Sequence, residues 1–240
     1  MRSRLRAEIA LVLALTFGTA GVRAALRLLD ALASGTALSE QQVALNAPQS
    51  AHPWLALGLQ ACSAAVLFSW GGLALFLLAR DGLRPLGYAR RDPLRGALLA
   101  AVIGLPGLAL YAAALHAGLS REVVPASSNS PLSLLMLLVA AAATAFGEEL
   151  VVVWWLCTRL RQLGCPWWAV AGASALLRGS YHLYQGLSAG AGNALMGLVF
   201  CWFFRRTGRV WPLVIGHFLI DAVAFVGYAL LGGRLGWLGL

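Results

Sequence analysis

Charged residues are scarce in this sequence, and lysine is absent from it altogether. Of the 240 residues only 11% are charged, whereas 60% are hydrophobic. A soluble domain of this size carries about 25% charged residues, so the composition excludes an ordinary soluble protein. It favours an all-α membrane protein, and the length allows one compact helical domain.

Cysteine and histidine motifs are missing as well, and each absence excludes a class of site. The four cysteines are scattered, with no CxxC spacing, so neither a zinc ribbon nor a redox pair is indicated. No histidine lies within a turn of Glu148 and Glu149, which excludes the HExxH site of zinc metalloproteases. An aspartyl intramembrane protease needs two Asp in its spans, and Asp221 alone lies in an apolar segment.

Apolar segments are what the sequence has in abundance, and they predict a bundle of about seven transmembrane helices. The first helix lies within residues 1–34, with its apolar run at 9–22. A signal peptide is the alternative, but charged residues stand between that run and the small residues of a cleavage site, so we interpret the helix as uncleaved. Residues 35–53 are predicted to form a loop. The other predicted spans are residues 54–79, 96–119, 131–163, 167–185, 189–204 and 210–231.

The arginines set the predicted orientation of these spans. If the N-terminus is cytoplasmic, thirteen arginines fall in cytoplasmic segments and two, Arg121 and Arg234, fall outside. Since basic residues accumulate on the cytoplasmic side, we predict a cytoplasmic N-terminus and a multi-pass protein of a bacterial cell membrane. The net charge of +9 therefore reflects membrane orientation, and no nucleic-acid partner is expected. The expected partners are membrane lipids and a peptide or membrane-protein substrate.

Two adjacent acids, Glu148 and Glu149, lie in the middle of the predicted span 131–163. A charged group at the bilayer centre costs about 2.5–3.5 kcal/mol on insertion scales, so this pair requires a cationic, hydrogen-bonding or metal partner. Apolar segments further along the chain supply suitable groups at Arg178, His182 and His217. We therefore predict one polar cavity inside the bundle, with the Arg178 guanidinium in contact with an acid of the pair.

The spacing of these groups places them on shared helix faces. Arg178 and His182 are four residues apart, with Gln185 three residues further, and His217 and Asp221 are also four apart. A structural network that only joins helices is one interpretation. A water molecule activated by a carboxylate, with the other side chains stabilising an oxyanion or holding a metal, is the functional one. A weaker alternative is a serine nucleophile, because Gly172 to Ala175 resembles the GxSx of rhomboid-type proteases.

These residues carry a family resemblance. Glu148-Glu149, His182 in the next span, and the segment from His217 to Asp221 resemble the three motifs of the CPBP intramembrane proteases, also called Abi or CAAX-protease-like. The usual pattern is EExxxR, FxxxH and HxxxN or HxxxD. This chain departs from it twice, with Val153 at the arginine position and Arg178 at the phenylalanine position.

The resemblance implies an intramembrane endopeptidase that uses a glutamate-activated water. It implies catalytic roles for Glu148, Glu149, His182, His217 and Asp221, with Arg178 and Gln185 in support. A zinc or other divalent ion on His182, His217, Glu149 and Asp221 is one form of the mechanism, and a metal-free form is the other.

Two alternatives to an active protease remain. The two departures are consistent with a catalytically inactive member of the family, and a small proton-coupled transporter is the alternative from another functional class. The chain is divided accordingly into N-terminal helices and loops (1–130), a protease-like core (131–231) and a tail (232–240).

Overall fold

The computed structural model describes residues 2–124 and 130–231, and most of them are helical. The helices are α1 (Arg2–Leu15), α2 (Phe17–Ala33), α3 (Pro53–Ala79), α4 (Asp92–His116), α5 (Pro131–Glu148), α6 (Leu156–Gln162), α7 (Trp167–His182), α8 (Leu187–Thr207), α9 (Trp211–Ala222) and α10 (Tyr228–Leu231). Two π-helical segments, Glu149–Trp155 and Val223–Gly227, join α5 to α6 and α9 to α10. Short 3-10 turns lie at Leu38–Glu40 and Leu183–Gln185. The tail predicted at 232–240 lies outside the described residues.

Four of the described helices are long and apolar enough to cross a membrane, which confirms a multi-pass helical membrane protein. They are α3, α4, α8 and the continuous helix Pro131–Gln162, and a fifth span results if α1 and α2 are counted together. The predicted number of seven is approximate, because α7 has only 16 residues and the apolar helix Trp211–Gly227 is short.

The predicted apolar run 9–22 is not one straight helix. The chain bends by 47° between α1 and α2. Thr16 breaks the helix with φ −127° and ψ −121°, and its Oγ1 donates a hydrogen bond to the Val12 carbonyl at 2.6 Å. The side chain thus satisfies a carbonyl near the break, as threonine often does where a helix bends.

The predicted loop 35–53 contains a short strand. Residues Gln42–Ala44 (β1) pair in parallel with Glu122–Val124 (β2), with Gln42 opposite Glu122. Arg121 holds this pair against the end of α7, since its guanidinium donates to the carbonyls of Gln42 at 2.8 Å and Tyr184 at 3.2 Å. Three-residue strands in polar surroundings have no period long enough to be read from sequence.

The helix Pro131–Gln162 is the centre of the bundle. In its most apolar stretch 61% of the residues are buried, against 11–33% in the other three single spans. Gly147 allows α3 to approach closely, because a Cβ there would lie 2.7 Å from the Leu67 carbonyl oxygen. The core surrounds the π-helical segment, whose seven residues are all buried.

An ion cluster around the buried Arg159 fixes one end of the central helix. The Arg159 guanidinium donates to Glu8 of α1 at 2.7 Å and to Asp81 at 2.5 Å. The hydrogen bond from Arg159 lowers the pKa of the Asp81 carboxyl. Trp155 Nε1 donates to the same Glu8 at 3.0 Å. This cluster anchors α1 against the helix that carries the acid pair.

Candidate active site

The acid pair lies where the central helix changes its hydrogen bonding. Glu148 ends α5 and Glu149 begins the π-helical segment. Such insertions alter the direction of side chains and leave carbonyls in need of donors, and they are frequent at functional sites. Ser174 of α7 supplies one donor, since its Oγ bonds the Val152 carbonyl at 2.9 Å. Ser174 is fully buried and committed to this bond, so the serine-nucleophile alternative gains no support.

The predicted contact of Arg178 with the acid pair is confirmed. One terminal nitrogen lies 3.2 Å from Glu148 Oε2 and the other lies 2.6 Å from Glu149 Oε1. The guanidinium therefore bridges the two carboxylates and does not bind either one bidentately. The side chains of Arg178 and Glu149 are completely buried, and that of Glu148 keeps 5% of its surface exposed.

The surroundings of Arg178 keep its guanidinium in place. The Phe200 ring lies under it, with 5.5 Å between the guanidinium carbon and the ring centroid. Gly197 of α8 leaves the necessary room, since a Cβ there would lie 3.4 Å from Arg178 Cδ and 2.9 Å from the Cα of Ala175. The cation that balances the two acids is thus held by α8 as well as by its own helix.

His217 is the second group on Glu149. Its Nδ1 lies 2.7 Å from Glu149 Oε1, so a proton on Nδ1 is donated to the carboxylate. Its Nε2 faces Asp221 Oδ2 at the longer distance of 3.5 Å. Glu149 Oε1 therefore receives both Arg178 and His217, which orients the imidazole from α9 toward the acid pair.

In the described part of the chain, the hydrogen bonds of His182 and Gln185 are to groups other than the two acids. His182 is the last residue of α7, and its Nδ1 bonds the Arg178 carbonyl at 3.0 Å. Gln185 donates to the Tyr184 hydroxyl at 2.9 Å, in the 3-10 turn that follows the helix. The predicted helical stripe ends at His182, so the Gln185 side chain bonds this turn, and among the described residues it has no hydrogen bond to the carboxylates.

Tyr181 is a site residue that the sequence analysis did not identify. Its hydroxyl donates to Glu148 Oε2 at 2.6 Å, and the residue is 7% exposed. The ring packs against Phe17 of α2, with ring centroids 4.8 Å apart. Tyr181 lies three residues after Arg178, and this spacing was the available signal in the sequence.

Three donors of the site are close enough to hold a metal ion. Ligand atoms of Glu148, Glu149 and His217 all lie within 4.8 Å of one another. The predicted set was His182, His217, Glu149 and Asp221. Within the described parts of the chain, the observed set includes Glu148 and lacks His182 and Asp221. Glu149 Oε2 is buried without a hydrogen-bond partner among the described residues. Two carboxylates and an imidazole are ligands that suit zinc and similar divalent ions, so the donor set fits such an ion.

Comparison with known proteins identifies the segment that contains these residues. Residues 130–223 match the family model described as Rce1-like, type II CAAX prenyl endopeptidase Rce1-like. No curated protein and no solved structure matches the chain. The matched segment begins at α5 and ends just beyond α9, so it contains the acid pair, Arg178 and both histidines.

Proposed function

We propose that this chain, whose residues 130–223 form an Rce1-like domain of the CPBP family, is an intramembrane endopeptidase that hydrolyses a peptide bond with a glutamate-activated water. The observation that carries the proposal is the buried pair Glu148–Glu149, which Arg178 bridges and His217 contacts. A network that merely joined helices would not need two adjacent acids, an arginine and a histidine around one point of the bundle.

The two acids differ in their surroundings, and the difference suggests different roles. Glu149 is completely buried, and one of its oxygens is occupied by Arg178 and His217. Glu148 is the acid with exposed surface, and within the described chain Tyr181 and Arg178 hold it through its Oε2. We therefore assign Glu148 as the general base and Glu149 as the group that positions His217.

The proposed reaction begins with a water that loses a proton to Glu148 while its oxygen attacks the peptide carbonyl carbon. The carbonyl oxygen becomes an oxyanion, which the histidines stabilise by hydrogen bonding. His182 can serve in its imidazolium form, because its Nδ1–H is donated to the Arg178 carbonyl and the second ring proton, on Nε2, is then available to a substrate oxygen. Protonated Glu148 then transfers its proton to the leaving amine as the C–N bond breaks.

A divalent ion fits the same residues. Glu148, Glu149 and His217 would hold it, and it would supply Lewis-acid polarisation of the carbonyl and a more acidic water. Arg178 and Tyr181 would still orient the carboxylates. Adding a chelator distinguishes the two forms of the reaction, because it should stop only the metal-bound one.

The experiment compares cleavage of a fluorogenic peptide library by the purified protein and by the variants Glu148→Gln and Glu149→Gln. Loss of a general base costs about 10²–10⁴-fold in rate, so Glu148→Gln should abolish cleavage while the protein stays folded, since Arg178 keeps Glu149 as its partner. The exposed acid Glu40 gives the matched control, Glu40→Gln, with full activity expected. Cleavage that survives in Glu148→Gln refutes the base assignment.

Two further outcomes decide the remaining questions. Activity lost in a chelator and restored by zinc establishes the metal-bound form. A folded protein that cleaves no peptide in any lipid environment supports the inactive family member or the proton-coupled transporter.

A further inference from the structure

A second site lies at the end of the bundle where three helices terminate. The end of α6, the start of α7 and the end of α8 surround a pocket of about 560 Å³. We call it the interfacial pocket and define it by Leu83, Arg161, Trp167, Phe204 and Arg205. It is separate from the candidate active site, and its proposed role does not rest on the protease proposal.

The interfacial pocket combines an apolar lining with two cations. Trp167, Phe204 and Leu83 form the apolar part. The guanidinium carbons of Arg161 and Arg205 lie 5.3 and 5.6 Å from the centroid of the Trp167 ring. The same aromatic ring is thus contacted by both guanidinium groups.

Neither arginine is neutralised by a carboxylate of the described chain. Arg161 donates one hydrogen bond, to the Cys165 carbonyl at 2.6 Å, and Arg205 has no hydrogen bond or ion pair with residues 2–124 or 130–231. The carboxylates that lie near this end are engaged by two other arginines, Arg159 and Arg209. The pocket therefore has a positive charge that only an external anion can balance.

The position of the pocket identifies the source of that anion. Ends of membrane-spanning helices meet there, and two tryptophans in the first turn of α7 and near the end of α8, Trp168 and Trp202, are 80% and 56% exposed, as interfacial tryptophans are. Arginine distribution predicts that this end faces the cytoplasm. Basic pockets between helices on that side bind the head groups of anionic lipids.

We propose that the interfacial pocket binds an anionic phospholipid. Arg161 and Arg205 bind the phosphate, and the acyl chain covers the apolar walls. A soluble phosphate would use the two arginines only and would leave the apolar lining exposed to water. The two sources are therefore separable by experiment.

The test titrates the full-length protein in neutral detergent with phosphatidylglycerol, and with phosphatidylcholine of the same acyl chains, and counts bound lipids by native mass spectrometry. We expect phosphatidylglycerol to bind at least roughly tenfold more tightly than phosphatidylcholine. Arg205→Gln, which removes the contact with the Trp167 ring but no hydrogen bond or ion pair within the described chain, should weaken phosphatidylglycerol binding roughly tenfold, as expected for one charged hydrogen bond. Arg206→Gln removes the same charge from the next residue, which lies over Trp202 and not in the pocket, and should have less than roughly a twofold effect.

Three results would overturn the proposal. Equal losses in Arg205→Gln and Arg206→Gln would indicate general charge attraction, and equal affinity for the two lipids would exclude anion recognition. Displacement of phosphatidylglycerol by millimolar inorganic phosphate would show a simple anion site. Because Arg161→Gln also removes a hydrogen bond to the backbone, its melting temperature is measured first, and Arg205→Gln decides the outcome if that variant fails to fold.

Discussion

Replacing Arg178 by alanine should lower the free energy of unfolding of the protein. The guanidinium is fully buried and contacts Glu148 at 3.2 Å and Glu149 at 2.6 Å. Without it, two adjacent carboxylates share the centre of the bundle with no arginine beside them. Removal of one partner from a buried ion pair costs about 3–5 kcal/mol. For a chain of this length about 2–4 °C of melting temperature corresponds to each kcal/mol, so we expect a decrease of about 6–20 °C.

Thermal unfolding in detergent measures this effect, with tryptophan fluorescence as the signal because the chain contains nine tryptophans. Arg23→Ala is the matched control, since Arg23 also lies on an apolar helix but is exposed there. Its effect should stay within about 0.5 kcal/mol. Arg178→Lys should fall between the two, because a single ammonium keeps the charge but does not reproduce the bridge formed by two separate nitrogens. An unchanged melting temperature in Arg178→Ala would refute the claim that Arg178 stabilises the acid pair.

Two further predictions concern the packing and anchoring of the central helix. Gly147→Ala should cost about 1–3 kcal/mol, because its methyl group would lie 2.7 Å from a backbone oxygen of α3. The control Gly172→Ala meets no atom within 4 Å, and equal melting temperatures would contradict the close approach. Glu8→Gln should lower the melting temperature more than Asp81→Asn, because the Glu8 side chain is 12% exposed and that of Asp81 is 35% exposed while both bond the buried Arg159. The reverse order would show that α1 is not anchored there.

A large part of the site was predictable from the sequence, because buried charges need partners of opposite charge. Two acids in an apolar helix require a cation, and Arg178 was the one arginine of the later spans available to them. The contact follows from the cost of burying unpaired charge, which does not depend on the details of the fold. The three motifs likewise predicted a protease-like core at residues 131–231, and the family model matches residues 130–223.

Features that depend on tertiary packing were not predictable in the same way. The π-helical segment leaves no mark in composition, because it depends on packing against α7 and on the donor that Ser174 supplies to Val152. Tyr181 was missed because a tyrosine in an apolar helix most often packs as a hydrophobic residue, and only the position of Glu148 makes its hydroxyl important. The bend at Thr16 was missed because a hydropathy profile does not detect a change of backbone direction.

The departures from the family pattern raise the question of whether they compensate each other. The pattern has arginine at position 153 and phenylalanine at 178, whereas this chain has Val153 and Arg178. Both side chains lie near Phe200: Val153 packs in the same buried cluster, and the Arg178 guanidinium lies over the ring at 5.5 Å. Position 153 is also four residues after Glu149 on the central helix, so the side chain of an arginine there would begin next to that of Glu149.

The exchange Val153→Arg with Arg178→Phe tests this compensation. Val153→Arg alone adds a second buried cation, Arg178→Phe alone leaves the acids without one, and each should cost about 3–5 kcal/mol. The double variant restores one arginine and one aromatic residue around the acid pair. We therefore expect it to be more stable than the sum of the single losses by about 0.5–3 kcal/mol, the range for directly coupled positions. If the losses add to within about 0.5 kcal/mol, the two positions are independent, and Arg178 balances the acids without replacing the motif arginine.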